Sequence, residues 1–71
     1  MNVIKSYMFC PGPYINDVKI EILEHNEHMN STIYTYRLNG ITYYSDCESV
    51  ENACSEAEET ATEYHSVVNH D

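Results

Sequence analysis

From Asp17 through Ile22, in the stretch DVKIEILE, polar and apolar residues alternate. Val18, Ile20 and Ile22 point one way, and Lys19 and Glu21 point the other. A period of two marks a strand with one face on a core. Residues 2–9, NVIKSYMF, are also β-prone, with apolar groups on both faces. The run CPGP at 10–13 ends them, because two prolines and a glycine cannot continue a central strand. The polar stretch from His25 to Asn30 reads as a connection.

The sharpest local pattern is STIYTYRLNGITYYS, residues 31–45. Two β-rich runs flank Asn39-Gly40, the pair favoured in a type I′ hairpin turn because both central residues need positive φ. A two-residue loop fixes the register: Leu38 opposite Ile41, Arg37 opposite Thr42, Tyr36 opposite Tyr43, and Thr35 opposite Tyr44. Tyr34, Tyr36, Leu38, Ile41 and Tyr43 then share one face, the core candidate by apolar area. Thr35, Arg37, Thr42 and Tyr44 share the other.

After Ser45 the period changes to 3.6. Ser45 followed by Glu48 fits a capping box. Cys47, Val50, Cys54, Ala57, Ala61, Tyr64 and Val68 then form one stripe of a helix over about residues 46–68. Ala53, Cys54, Ala57 and Ala61 keep its middle small enough to sit close against bulky tyrosines. The pattern predicts an α+β fold in a single domain, residues 1–71. A small antiparallel sheet of three to four strands, a meander over about residues 2–45, packs on one C-terminal helix. One helix covers one face, so the second face, with Tyr44, Ile33, Tyr7 and Phe9, is expected to be partly exposed.

Composition agrees with a folded chain. The 71 residues are 42% hydrophobic with seven Tyr, too apolar and aromatic for disorder despite a net charge of −9. A chain this short buries only about 60% of its unfolded surface and often leans on a partner or an oligomer.

Charge changes the picture more. Residues 1–45 carry Asp17, Glu21, Glu24 and Glu27 against Lys5, Lys19 and Arg37. Residues 46–71 carry Asp46, Glu48, Glu51, Glu56, Glu58, Glu59, Glu63 and Asp71 with no Lys or Arg. Solvent faces of helices ordinarily mix Lys with Glu, since opposite charges four apart help by about 0.2–0.5 kcal/mol. Here Glu59 and Glu63 are instead a like-charge pair at that spacing. A run of Glu is commonly a solvated face that keeps a protein soluble. The missing cations favour a second reading, an anionic ridge of Glu48, Glu51, Glu56, Glu58, Glu59 and Glu63 that docks on a basic protein surface, with Tyr44 as a nearby exposed aromatic anchor. A line of carboxylates along a helix can imitate a line of phosphates, so the expected partner is a nucleic-acid-binding protein. Phage proteins that block restriction or CRISPR machinery as DNA mimics share this strategy in size and charge, with no motif behind the likeness. Direct binding to nucleic acid or to anionic membrane is disfavoured by the same charge. The alternative is a structural or assembly module, a homodimer through the sheet, with the acids serving solubility. Crowded carboxylates are also expected to hold their protons more tightly than usual, which predicts greater stability near pH 5 than near pH 8.

Other chemistry has less behind it. His25 and His28 in EHNEHMN, with Glu24 and Glu27 beside them and His65, His70 and Asp71 further on, have zinc-ligand chemistry, but no rigid element orients them. No metal and no cofactor is therefore expected. Three cysteines, an odd number and in no CxxC arrangement, read as free thiols in a reducing cytoplasm. Cys47 and Cys54, two helical turns apart, stand too far from each other for a disulfide. With two glycines there is no phosphate-cradling loop, and no nucleophile has an evident base, so an enzyme is not expected. The N-terminal MNVIKSYMF has neither the apolar run nor the cleavage pattern of a signal peptide.

Overall fold

A computed structural model describes residues 2–13, 15–26 and 32–68, with the helix side chains described through Glu63. Strands β1 (Asn2–Phe9), β2 (Val18–Asn26), β3 (Thr32–Leu38) and β4 (Ile41–Cys47) are followed by helix α1 (Val50–Val68). The strands form one antiparallel sheet in the order β1-β2-β3-β4, a meander with α1 packed on one face. The fold is α+β, as the pattern predicts. His25 and Asn26 belong to β2, opposite Ile33 and Thr32, so the expected connection begins later.

The alternation in β2 is realised in full: Val18, Ile20 and Ile22 are completely buried. They meet Tyr36 and Leu38 of β3 and the alanines of α1 in one core. Ala53, Ala57 and Ala61 are each 0% exposed, and Val50 and Cys54 pack beside them. Methyl side chains on the helix let its backbone come down onto branched and aromatic residues of the sheet, so bulk and smallness interlock across the interface. The side chains of Tyr64 and Val68, expected to continue the stripe, lie outside the described residues.

The hairpin turns as expected. Asn39 has φ 49° and Gly40 has φ 86°, both in the left-handed region. Asn39 is also tied to β2, because its N–H donates to the Lys19 carbonyl at 2.9 Å and its Oδ1 accepts from the Lys19 N–H at 2.9 Å. Leu38 opposes Ile41, Arg37 opposes Thr42, and Tyr36 opposes Tyr43. The tyrosine pair stacks, with ring centroids 5.5 Å apart and 15° between planes.

Five expectations are corrected. Thr35 does not oppose Tyr44, because β4 bulges and the next partners are Tyr34 and Cys47. Cys47 therefore ends a strand, buried, and the helix begins at Val50 rather than near residue 46. The cap is Ser49, not Ser45: Ser49 Oγ accepts from the Asn52 N–H at 3.1 Å, and the Ser49 carbonyl accepts from the Ala53 N–H at 3.0 Å. Tyr7 and Phe9 sit on the helix side of the sheet, opposite Ile20 and Val18, and pack against the core. Conversely Ile41, beside the turn on an edge strand, is 63% exposed because α1 lies mainly over β3 and β2. The second face is partly open: Tyr44 is 83% exposed and Met8 59%, whereas Leu23 and its cross-strand neighbour Thr35 are buried.

Candidate functional site: an acidic helix held by hydroxyls

Two glutamates, one on each side of the central Ala57, do not simply face water. Successive helix residues are turned by about 100°, so Glu56 and Glu58 lie on opposite flanks of the buried alanine stripe. Each reaches a different part of the sheet. Glu58 Oε2 accepts from the Tyr7 hydroxyl of β1 at 2.7 Å. Glu56 accepts from three donors of β3 and β4: the Tyr36 hydroxyl at 3.2 Å, the Ser45 hydroxyl, and the Cys47 thiol at 3.5 Å. Tyr36 also shares a 3.0 Å hydrogen bond with Thr60 Oγ1.

These contacts shift protonation. Hydrogen bonds, that from Ser45 first, hold the Glu56 carboxyl below its ordinary value, against an opposing effect of burial. This corrects the expectation that crowding raises it: neutral donors, not other glutamates, dominate its surroundings. Burial first, and then the Glu58 carboxylate, push the Tyr7 hydroxyl well above the usual tyrosine value. Burial likewise raises Tyr36, and burial with the nearby Glu56 carboxylate raises Cys47.

The rest of the acidic set stays in solvent. Glu51, Glu59 and Glu63 are exposed on α1, and Glu48 is exposed in the short link before it rather than on the helix. Asp46, Glu48, Glu56 and Glu59 converge on an open cleft of about 460 Å³ between the end of β4 and the first turns of α1, with Asn52 and Ser55 completing its wall. Tyr44 stands exposed on β4. Two of the sheet's cations are engaged elsewhere: Arg37 Nη1 lies 3.4 Å from Glu21 Oε1, and the Lys5 ammonium lies 5.4 Å from the centre of the Tyr7 ring. Among the described residues no salt bridge joins a sheet cation to a glutamate of α1.

Reasoning from periodicity alone put Glu56 and Glu58 with the other acids. The signal that could have separated them was their place beside the most central alanine, facing a sheet rich in hydroxyls. Among the described residues no group of His, Cys, Asp and Glu is arranged to hold a metal ion. His28, His70 and Asp71, and the side chain of His65, lie outside the described residues. Cys10, Cys47 and Cys54 are free thiols. Among the described residues no helix is long and apolar enough to cross a membrane.

No protein-family model matches the chain, and neither a curated protein nor a solved structure matches it.

Proposed function

We propose that the chain is a small inhibitor or adaptor that docks the acidic side of α1 on a basic surface of another protein, of the kind that nucleic-acid-binding proteins carry. The observation behind this is the exposed set Glu48, Glu51, Glu59 and Glu63 together with the four-carboxylate cleft, none of it neutralised by a described cation. An open pocket walled by carboxylates suits a guanidinium or ammonium group, which gains charge-assisted hydrogen bonds on entering. A rigid helix, strapped on both flanks, presents those charges at fixed spacing with little ordering cost on binding. Tyr44 of the same edge strand β4 is exposed on the sheet face away from α1, so it would add an aromatic contact only to a partner that wraps around that edge. A DNA mimic that blocks a nuclease of the restriction or CRISPR type is the most specific form of this reading.

The test uses two proteins side by side as bait in lysate of the source cell: the intact chain and a variant with Glu48, Glu51, Glu59 and Glu63 changed to Gln. A partner held by the intact chain, lost from the variant, released by moderate salt and displaced by duplex DNA is the expected result. A partner that both baits hold equally sinks the charge argument.

A further inference from the structure

The two edges of the sheet are unlike. At β4 the ladder is interrupted, since Thr35 alone spans the gap in which β4 has Tyr44, Ser45 and Asp46. Bulges and charges of this kind blunt an edge against further pairing. At β1 the ladder from Lys5 to Phe9 runs without a break against Ile22 to Val18, after a single irregularity at Ile4. Among the described residues no strand pairs with its other side, since β1 ends the sheet. Val3, Ile4 and Met8 of that strand are 47%, 42% and 59% exposed. β1 also carries Lys5 and no acid, in a chain of net charge −9. A second copy meets the least repulsion there.

We propose that β1 pairs antiparallel with β1 of a second copy, joining two sheets into one of eight strands. A free strand edge is complementary to another strand, and antiparallel pairing of identical strands closes on itself about a two-fold axis. Pairing of β1 with β4 would instead leave an open chain of molecules, and the β4 bulge opposes it. A two-fold centred on Ser6 or Tyr7 sets Lys5 opposite an aromatic ring of the second copy, Tyr7 or Phe9, and never opposite another Lys5. In the monomer Lys5 already lies over a ring. The axis stands perpendicular to the sheet, so both α1 helices lie on one side. Each covers mainly β2 and β3, which separates them by about 20 Å at the usual strand spacing. That exceeds the screening length of about 8 Å at physiological salt, so helix repulsion does not forbid the dimer. The dimer presents two acidic helices facing the same way.

Sedimentation equilibrium of the full chain, from micromolar to near-millimolar concentration, tests this without any partner. The expected species has twice the 8.2 kDa chain mass and survives added salt. Amide exchange at residues 5–9 should slow as concentration rises. The double variant Ile4→Lys, Met8→Lys changes two exposed side chains, and with an unchanged circular dichroism spectrum it should sediment at the mass of one chain. A wild-type chain that stays single throughout overturns the proposal. So does a dimer with unaltered exchange at residues 5–9, or one that the double variant retains. Should that variant lose its fold, exchange in the wild type decides alone.

Discussion

The Tyr7 hydroxyl and the Glu58 carboxylate, 51 positions apart, meet at 2.7 Å and tie the first strand to the last helix. The bond lies on one flank of α1, and the donors to Glu56 lie on the other. Together they fix the rotation of a helix whose buried stripe is made of small alanines, which alone would specify rotation weakly. Tyr7→Phe removes the donor and leaves a half-buried carboxylate with less hydration. The expected loss is about 1 kcal/mol, or roughly 4–8 °C in melting temperature for a domain of this size. Tyr44→Phe, at an exposed site, should leave the melting temperature unchanged. Equal effects of the two changes would show that the bond contributes nothing.

The same hydroxyls set an alkaline limit. Tyr7 and Tyr36 both have folded values raised above the usual 10.0. For a group so raised, the stabilisation is fully present below the unfolded value and is lost as pH rises from there through the folded value. Unfolding by alkali should therefore begin above pH 10, and ultraviolet absorbance should show two tyrosines ionising only as the fold is lost. Titration of all tyrosines at the ordinary value, with the fold intact, would contradict this.

Glu59 and Glu63 behave differently because they stay exposed. As like charges one turn apart they cost about 0.2–0.5 kcal/mol. Glu59→Gln is expected to raise the stability of the free protein by about that amount in low salt, and by less in high salt. The same change should weaken binding to a basic partner. Denaturant titrations at two salt concentrations check the first half. A variant less stable than the parent would mean that Glu59 has a native partner.

Much of the fold was legible because it rests on periodicity. The β2 alternation, the Asn39-Gly40 turn and the alanine stripe each state their structure locally, and tertiary packing agrees with them. The boundary at residues 45–50 was not legible, for a physical reason. Ser45 and Ser49 both precede residues suited to a first helical turn, and the choice depends on a bulge that pairs Cys47 with Tyr34. Such a bulge leaves no mark on the hydrophobic pattern. The site was legible as a sum of charges but not as two kinds of glutamate. Whether a flank carboxylate faces water or a hydroxyl depends on which sheet residues lie under it, and that is fixed only when the helix has docked.

Ala57 shows how tight that docking is. It is 0% exposed at the centre of the stripe, over the sheet. Ala57→Leu adds three carbons at a position that is already fully buried against the sheet, so the helix is expected to lift to make room. Overpacking of this kind costs about 1–3 kcal/mol. Lifting would also draw Glu56 and Glu58 from their donors, so the upper end is expected here. Thr62→Leu, at an exposed position, offers a control with the same new side chain on the outer face, and should cost little. Comparable losses at the two positions would mean that the interface is looser than its burial implies.

Glu56 decides the acid side. Its folded value lies below the usual 4.5 because Ser45, Cys47 and Tyr36 donate to the ionised form. A depressed carboxyl binds its proton less readily when folded, so its stabilisation is present above the unfolded value and is lost as pH falls through the folded one. Below about pH 4.5 the Glu56 contribution should dwindle, and stability should fall with it. Glu56→Gln keeps the shape and an acceptor oxygen but removes the charge. At neutral pH the change is expected to cost about 1 kcal/mol, the difference between a charged and a neutral acceptor. More tellingly, it should flatten the acid limb, because nothing remains at position 56 to protonate. Melting temperatures of both proteins at pH 3, 4, 5 and 7 provide the comparison. An acid limb as steep in the variant as in the parent would place the pH sensitivity on other carboxylates and leave Glu56 with no special part in holding α1 to the sheet.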